Sequence, residues 1–497
     1  MLLNDQADRP EVEHVDVLIV GAGLSGIDAA CRLQRHCPGK SFAIIEARDA
    51  IGGTWDLFRY PGVRSDSDMT TLGFPFRPWR GVRAIAAGPD ILAYIRDTAR
   101  EYGIDGHVRY RHRLVRASWD SKEARWTAEI EADGRKIRIS CAFLFMCGGY
   151  YDYDAGYTPD YPGLDDFAGR FVHPQHWPQD LDVTGKRVVV IGSGATAVTL
   201  VPSLAERAEH VTMLQRSPTY IVAQPAQDRI AIRLRRMLPA AVADRLVRWK
   251  NVVTSIAIYG LSRRHPERSK RAILDGVRKA LGPGHDVDRD FTPSYNPWDQ
   301  RICLAPDGDL FTAIREGRAS VVTDHVERFQ ADGIQLLSGR KLPADIIVSA
   351  TGLNVRMMGG AALLVDGVEQ RLPDKLIYKG MMLSGVPNLA FAFGYTNASW
   401  TLKCDLTARY VCRLINHMDR HGYVSCTPHA DAAIEEEPMV DFTSGYIARA
   451  RDRMPRQGSK APWRLHQNYA LDVAMLGLGR VEDGVLRFTR ARERVAA

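Results

Sequence analysis

The chain has 497 residues, of which 45% are hydrophobic and 25% charged, values typical of a soluble globular protein. This length predicts two or three domains instead of a single core. No apolar run approaches the roughly 20 residues of a membrane-spanning helix, so an integral membrane protein is not expected. The first ten residues are polar and acidic, which predicts that they do not form a signal peptide.

Eight cysteines are scattered along the sequence, and none belongs to a Cys-x-x-Cys pair. Neither a zinc site nor a redox-active dithiol is therefore predicted, and we expect no metal. Free thiols are typical of a reducing compartment, so the sequence favours a cytoplasmic protein.

The first predicted element is a short apolar strand, Val15–Val20, followed at once by a glycine motif at 21–26. An apolar helical pattern begins at Ile27. A strand, this motif and a helix in succession are typical of a dinucleotide site, because the glycines allow a tight turn and a close approach to pyrophosphate. The next predicted strand, 41–45, ends at Glu46. Its carboxylate would accept hydrogen bonds from ribose hydroxyls and would repel a 2′-phosphate. These features favour FAD over NAD, with contacts at Gly21, Gly23, Ser25, Gly26 and Glu46.

A second site of the same kind begins with the predicted strand 186–191, and its small-residue turn spans 192–197. The following strand, 210–215, ends at Arg216. Glu46 lies 25 residues after Gly21 and Arg216 lies 24 after Gly192, so equivalent places carry opposite charges. An arginine there suits a 2′-phosphate, which predicts NADPH. The predicted contacts are Ser193, Gly194, Ala195, Thr196, Ala197, Arg216 and Ser217.

The net charge of +7 is concentrated in one segment, because residues 228–281 hold 14 Lys or Arg against four Asp or Glu. Apolar residues recur through this segment at helical spacing. It is interpreted either as a solvated basic face on an inserted helical subdomain or as a surface that contacts an anionic membrane. Nucleic acid is not an expected partner, since no nucleic-acid-reading module accompanies the charge.

Residues 167–178, between the two glycine motifs, fit the pattern F-x-G-x-x-x-H-x-x-x-W-P/D. The pattern and its position resemble those of Baeyer–Villiger monooxygenases, class B flavin monooxygenases that insert one oxygen atom of O2 next to a carbonyl. Related enzymes that oxidise nitrogen and sulfur usually lack the Trp-Pro end. A loop that only packs between two domains is the structural alternative. The defining residues are Phe167, Gly169, His173 and Trp177.

The segment 52–66 resembles a second pattern of the same family, G-G-x-W-x-x-x-x-F/Y-P-G-x-x-x-D. The resemblance implies that its residues cover the flavin and that Asp66 lies near the reactive face. It also implies that backbone near Leu114, in a predicted long strand 108–114, holds adenine. The implied FAD contacts are Thr54, Trp55, Asp56, Leu57, Asp66 and Leu114, and the implied NADP contacts are Arg64 and Ser65.

The resemblance also points to Arg301, which lies after the basic segment and before a predicted strand and turn at 345–352. Many members have Lys-Arg here, whereas this chain has Gln300 before Arg301. The missing lysine removes one implied contact to the NADPH phosphate, so Arg216 becomes the more important predicted contact. A permanent cation would favour the anionic C4a-peroxyflavin that attacks a carbonyl. The implied catalytic residues are Arg301 and, as its orienting partner, Asp66. A surface arginine or an ion pair with Asp299 is the alternative.

The resemblance spans roughly residues 15–469 and includes a loop at 394–403 that would meet the flavin, with a helix starting near Thr401. It fits a subgroup with a mycobacterial prodrug-activating enzyme and bacterial enzymes of long-chain alkane use. The predicted class is α/β with two Rossmann-like dinucleotide-binding domains and a helical insertion. The predicted FAD domain is 1–148 plus 354–497, the NADPH domain is 149–223 plus 300–353, the insertion is 224–299, and the acidic stretch 431–438 is an exposed loop.

The resemblance implies an FAD-containing enzyme that uses NADPH and O2 to convert ketones to esters or lactones. Oxygenation of sulfides, thioamides or amines, or oxidation of long-chain aliphatic compounds, is the alternative within the same chemistry. A flavoprotein disulfide reductase would need a Cys-x-x-Cys pair, and a non-catalytic nucleotide-binding scaffold is the remaining option. The expected substrate is a small lipophilic carbonyl or heteroatom compound, and the expected location is cytoplasmic or peripheral to the inner membrane.

Overall fold

Residues 12–431 and 433–491 are described by the structure, which is a computed structural model. The expectation for the first ten residues, and the outer ends of the predicted FAD domain, lie outside these ranges. None of the helices in the described ranges is long and apolar enough to cross a membrane.

The strands follow the chain from the first glycine motif to the last described residues. They are β1 (Glu13–Val20), β2 (Phe42–Ile45), β3 (Val108–Arg109), β4 (His112–Asp120), β5 (Arg125–Ala132), β6 (Arg135–Met146), β7 (Tyr151–Gly156), β8 (Arg170–Val172), β9 (Arg187–Ile191), β10 (His210–Gln215), β11 (Ile221–Gln224), β12 (Cys303–Pro306), β13 (Ala319–Thr323), β14 (Val326–Gln330), β15 (Gly333–Leu336), β16 (Lys341–Pro343), β17 (Ile346–Ser349), β18 (Leu353–Val355), β19 (Ala362–Val365), β20 (Val368–Glu369), β21 (Ile377–Tyr378), β22 (Met382–Leu383), β23 (Leu389–Phe391), β24 (Tyr423–Pro428), β25 (Glu436–Pro438), β26 (Arg456–Gly458) and β27 (Leu486–Arg490).

The α-helices alternate with strands early in the chain and cluster in its middle. They are α1 (Leu24–His36), α2 (Thr54–Leu57), α3 (Met69–Leu72), α4 (Gly88–Glu101), α5 (Ala195–Leu204), α6 (Arg229–Met237), α7 (Ala240–Arg264), α8 (Pro266–Leu281), α9 (Val287–Asp290), α10 (Asp309–Arg315), α11 (Trp400–His421), α12 (Gly445–Ala450) and α13 (Tyr469–Asp472).

The larger sheet has the strand order β20-β19-β4-β5-β6-β1-β2-β3, and β23 also pairs with β6. Strand β6 is antiparallel to β5 along its first half and parallel to β1 along most of its length. The parallel part, with α1 packed on it, is the Rossmann-like unit that follows from the first glycine motif. Its apolar core contains residues from both ends of the chain, including the buried face of α11.

The second sheet is parallel throughout, with the order β13-β10-β9-β17-β8. Within β9 and β17, residues 188–191 and 346–348 are continuous buried apolar runs, as expected for strands covered on both faces. The two sheets confirm the predicted α/β class with two Rossmann-like units. Between the sheets, β7 and β18 pair antiparallel where the chain passes from one sheet to the other.

The basic segment forms the predicted helical insertion, with helices α6, α7, α8 and α9. It leaves the second sheet region after β11 and returns at β12, and these two strands pair in parallel. The insertion is therefore closed at its base by a two-stranded ladder.

Three local predictions were wrong. Helix α1 begins at Leu24 instead of Ile27, so Gly26 lies inside its first turn. The lack of a side chain at Gly26 allows the turn to pack closely, since a Cβ atom there would be 1.8 Å from the carbonyl oxygen of Gly21. The predicted strand 108–114 is broken at Arg111, whose φ of 58° turns the chain between β3 and β4. The acidic stretch 431–438 contains β25, which pairs with β26.

Candidate active site

A cavity opens where the parallel strands β1, β2 and β6 end, which is the edge of an α/β sheet at which ligands bind. Its wall brings together segments that lie far apart in the sequence. Among the predicted site residues, those that line it are Gly21, Gly23, Ser25, Glu46, Thr54, Trp55, Asp66, Leu114 and Arg301.

Two glycine-rich segments lie against each other on one side of the cavity, and no side chain separates their backbones. Gly21 has a φ of +104°, and a Cβ atom there would lie 2.8 Å from the carbonyl oxygen of Cys147. Gly53 has a φ of +56°, and its Cβ atom would lie 3.0 Å from Cα of Gly23. This bare backbone lies beside the N-terminus of α1, which offers unpaired N–H groups and a positive dipole end. The cradle fits a dinucleotide pyrophosphate.

Glu46 is fixed at the end of β2 by the backbone around it. Its Oε2 accepts a hydrogen bond from the N–H of Ala22 at 2.7 Å, and its Oε1 accepts one from the N–H of Arg48 at 2.9 Å. Burial raises the pKa of the Glu46 carboxyl, and the two N–H groups act in the opposite direction. A carboxylate has further lone pairs, so this one can also accept ribose hydroxyls.

An aromatic cluster forms another part of the wall. The rings of Tyr150 and Trp400 are stacked with centroids 5.3 Å apart, and Phe393 lies 5.4 Å from Trp400. The indole N–H of Trp400 donates to Oγ of Ser25 at 2.9 Å, which ties the cluster to the first glycine motif. Flat apolar surfaces of this kind suit an extended ring system.

The two predicted catalytic residues form an ion pair at the cavity wall. Nε of Arg301 lies 3.0 Å from Oδ2 of Asp66, and an Nη donates to the carbonyl oxygen of Thr396 at 3.4 Å. Burial acts to lower the pKa of Arg301, but Asp66 and the neighbouring tyrosines raise it above its ordinary value. The guanidinium is therefore a permanent cation held at the cavity.

The alternative ion pair of Arg301 with Asp299 does not form. Oδ1 of Asp299 lies 2.6 Å from Nη1 of Arg263, which belongs to α7. Arg301 is thus left to Asp66, and its side chain is one-third exposed (33%).

Asp56 does not line the cavity, and its implied contact with the flavin stays a prediction. The carboxylate is completely buried and binds three arginines, Arg48 at 2.6 Å, Arg96 at 2.9 Å and Arg59 at 3.1 Å. Leu57 is also buried outside the cavity. Both residues therefore support α2 and the loops around it.

The Asp56→Asn variant is expected to destabilise the fold by about 3 kcal/mol, because it leaves three converging guanidinium groups without their anion. The arginines retain contact with water, which keeps the loss from being larger. Urea unfolding followed by tryptophan fluorescence measures the effect. Asp97→Asn, which removes an exposed pair with Arg100, should cost less than about 1 kcal/mol. Equal losses in the two variants would contradict a supporting role for Asp56.

Arg64 and Ser65 also have partners away from the cavity. The guanidinium of Arg64 forms an ion pair with Asp309 of α10, and the Oγ of buried Ser65 accepts a hydrogen bond from the N–H of Ala86 at 3.1 Å. Each residue thus links the loop after α2 to a neighbouring element. Their contact with NADP stays a prediction.

The second small-residue turn follows β9 and leads into α5. Gly192 has a φ of +136°, and a Cβ atom there would lie 2.3 Å from the carbonyl oxygen of Ala350. Oγ of Ser193 donates to the carbonyl oxygen of Ser217 at 2.9 Å, so the predicted contacts on the two loops are neighbours. Residues 194 and 195, at the start of α5, are exposed, as is Arg216. The turn is open to a phosphate.

The residues of the third pattern lie at the edge of the second sheet, around β8. Phe167 is buried against Phe329, and a Cβ atom on Gly169 would lie 2.4 Å from the carbonyl oxygen of Asp345. Nε2 of His173 lies 3.2 Å from the carbonyl oxygen of Gly352, at the turn after β17. Trp177 packs, half-buried, against the core of the same sheet. These residues connect β8 to the chain that returns to the larger sheet.

His173 is held as a neutral imidazole. Its Nδ1 accepts a hydrogen bond from the N–H of Gln175 at 3.2 Å, which leaves Nε2 to donate to Gly352. Burial lowers the pKa of His173. The contribution of His173 to the free energy of unfolding is therefore fully present above its unfolded pKa of about 6.5. This contribution is lost as the pH falls through the lower pKa of the folded protein.

Lowering the pH from neutral to about 5.5 is expected to reduce the unfolding temperature more in the unsubstituted protein than in His173→Gln, because only the former must bind an extra proton to unfold. Differential scanning calorimetry at several pH values measures this slope. His285→Gln, at an exposed position, should keep the original slope. The same slope in His173→Gln as in the unsubstituted protein would contradict a partly buried, neutral His173.

Several lining residues were missed by sequence reasoning. Most are aromatic or basic side chains that reach the cavity from separate loops. They are Tyr150, Tyr151, Tyr153, Phe393, Phe442, Tyr446, Arg48 and Arg356. An aromatic run directly after the apolar strand β6 was a sequence signal for Tyr150, Tyr151 and Tyr153.

Comparisons with known proteins show the family to which the chain belongs. The family model described as flavin-binding monooxygenase-like matches residues 84–277, and a model of the NAD(P)-binding Rossmann-like domain matches residues 19–86. The FAD-containing monooxygenase EthA of Mycobacterium tuberculosis is 55% identical over 482 residues, which cover 96% of this chain and 98% of EthA. The protein AlmA of Acinetobacter baylyi is 48% identical over 97% of this chain and 98% of its own length.

Among solved structures, an oxidised steroid monooxygenase bound to NADP is similar with a TM-score of 0.75 and 21% identity. The match covers 96% of this chain and all of the other, and at this identity it concerns the fold. Fold and site define a flavin-dependent oxidoreductase. The chain belongs to the flavin-binding monooxygenase family, which confirms the resemblance predicted from the three sequence patterns.

Proposed function

We propose that this enzyme is a Baeyer–Villiger monooxygenase that uses FAD, NADPH and O2 to convert ketones to esters or lactones. One observation carries the proposal. The Arg301–Asp66 ion pair lies in the wall of the same cavity as the first glycine motif, so a fixed cation stands where a bound flavin would react.

The cavity residues fit FAD in distinct roles. The backbone around Gly21 and Gly53 would bind the pyrophosphate, Glu46 would accept the ribose hydroxyls, and Tyr150 and Trp400 would pack on a ring. When bound, FAD supplies the redox chemistry that takes a hydride from NADPH and activates O2. Arg301 would then stabilise negative charge as it develops on the reacting oxygen and the carbonyl of the substrate.

NADPH is assigned to the turn between β9 and α5, with Arg216 on its 2′-phosphate. On this proposal, the larger sheet is the core of the FAD domain and the parallel second sheet is the core of the NADPH domain. The domain boundaries at 148, 223, 299 and 353 remain predictions, and two of them fall inside strands, 223 in β11 and 353 in β18.

The proposed substrate is a small lipophilic carbonyl compound. Apolar and aromatic side chains line the cavity together with Arg301, and they include Met358, Phe393, Phe442 and Tyr446. Such a wall favours an apolar molecule and excludes water from the reacting atoms.

A panel of ketones, sulfides and amines of matched size, each supplied with NADPH and air, tests the choice of reaction. We expect the largest kcat/KM for a ketone, with an ester or lactone as the product identified by mass spectrometry. Turnover of sulfides or amines with no ester from any ketone would replace this proposal with heteroatom oxygenation. Ketone reduction to an alcohol, or NADPH oxidation without product, would reject both.

A further inference from the structure

The solvent side of helices α6 and α7 is unusually apolar. Met237 is 72% exposed, Val253 59%, Ile230 57%, Leu246 47% and Trp249 42%. Eight of the fifteen large hydrophobic side chains exposed in residues 12–431 and 433–491 lie between Ile230 and Leu261. Single exposed apolar residues are ordinary, but a cluster of this kind marks an interaction surface.

The cluster is continuous along one face of α7. Its residues follow one another at spacings of four, three and four, which places them on a single stripe of a helix. The buried residues Ala243, Val247 and Val252 lie on the remaining sides of the helix, outside this stripe. The exposed stripe, called here the α7 face, consists of Val242, Leu246, Trp249 and Val253.

The charges around the α7 face are almost all positive. The acidic residues of α7 and of the cap of α6 are both already paired, Asp244 with Arg235 at 3.0 Å and Asp228 with Lys250. Asp244 is buried and cannot repel an approaching anion from the surface. Besides Arg263, which pairs with Asp299, the exposed arginines on the two helices are Arg229, Arg233, Arg236, Arg245 and Arg264.

We propose that the α7 face and its arginines bind the surface of an anionic phospholipid bilayer. Apolar side chains would enter the boundary between headgroups and acyl chains, while the guanidinium groups contact lipid phosphates. An apolar stripe flanked by exposed arginines, with Asp228 and Asp244 both paired, is complementary to that surface. The helices would lie in the plane of the membrane and would not cross it.

The buried side of α7 contacts Tyr395, which lines the cavity, and residues close to it in the chain. Val252 packs with Tyr395 and Leu402, and the Tyr259 ring lies 5.5 Å from Trp298, three residues before Arg301. One helix therefore separates the proposed lipid surface from the candidate active site. If the proposed function is correct, a lipophilic ketone dissolved in the bilayer has a short path to the cavity.

Co-sedimentation with vesicles tests the binding itself. The flavin-loaded enzyme is mixed at low salt with vesicles of phosphatidylcholine alone or of phosphatidylcholine and phosphatidylglycerol in equal parts. We expect binding to the second kind and release at high salt, because salt screens exposed charges. Replacing Arg233, Arg236 and Arg245 with Gln should weaken binding on the order of 100-fold.

A second variant, Leu246→Gln/Trp249→Gln/Val253→Gln, should weaken binding at least about tenfold, since it removes the apolar contact. The control, Leu337→Gln/Val368→Gln, changes two even more exposed apolar residues outside the α7 face and should bind as the unsubstituted enzyme does. Unchanged FAD content shows that each variant is folded.

Three outcomes would overturn the proposal. They are no binding to anionic vesicles at low salt, binding that ignores lipid charge, and a concentration-dependent dimer that the α7 variant abolishes while vesicle binding is absent. The last result would assign the face to a second copy of the chain. Failure of the proposed reaction is separable, because vesicle binding needs no ketone and turnover of a water-soluble ketone needs no vesicle.

Discussion

The Arg301→Ala variant is expected to bind FAD and to accept a hydride from NADPH at an unchanged rate, but to lose at least about 100-fold in oxygenated product. Hydride transfer depends on how the two dinucleotides are positioned, and Arg301 belongs to neither glycine turn. Oxygen transfer requires a fixed positive charge where negative charge develops. Arg301 supplies that charge at the cavity, and Asp66 orients it at 3.0 Å. Oxygen consumed by the variant should therefore leave as hydrogen peroxide.

Three rates measured together check this result: NADPH oxidation, hydrogen peroxide formation and ester formation. Arg278→Ala is a suitable control, because it removes an arginine with an ion pair to Asp288 at 2.7 Å on the exposed side of α8. The control should keep NADPH oxidation coupled to ester. Coupled turnover in Arg301→Ala would mean that the Arg301–Asp66 pair only joins two loops.

The Arg216→Ala variant is expected to lose kcat/KM for NADPH on the order of 10- to 100-fold while its use of NADH changes little. The reason is that only NADPH carries the 2′-phosphate, and a charge-assisted hydrogen bond to it is lost. Gln300 offers no second cation before Arg301, so the loss should fall on Arg216 almost alone.

Steady-state kinetics with both cofactors measures this preference. Arg207→Ala, an exposed arginine of the same sheet region that pairs with Asp182 at 2.8 Å, should leave both kcat/KM values unchanged. Equal use of NADPH and NADH by the unsubstituted enzyme would refute the assignment of Arg216 before any variant is made.

Local features of this protein could be predicted from the sequence. The strands β1, β9 and β10 and the turns after them follow from apolar runs and glycine spacing, which are set within about ten residues. The break at Arg111 could not be predicted, because an arginine with positive φ has no sequence signature. The cluster around Asp56 was equally hidden, since its arginines approach from separate loops.

The candidate site also has features that the sequence predicts and features that it does not. Asp66 and Arg301 are far apart in the chain, and only the resemblance to a family suggested that they meet. The wall of Tyr150, Phe393 and Trp400 is built by three segments that converge through the packing of the larger sheet. Sequence periodicity describes each segment but not the convergence.

Turnover of a ketone under oxygen-18 gas tests the central claim most directly, namely that this enzyme transfers one atom of O2 to a carbonyl compound. We predict an ester or lactone that contains one oxygen-18 atom and forms in equal amount to the NADPH consumed, as mass spectrometry and absorbance would record. An unlabelled product, or NADPH consumption that ends in hydrogen peroxide with every ketone offered, would contradict it.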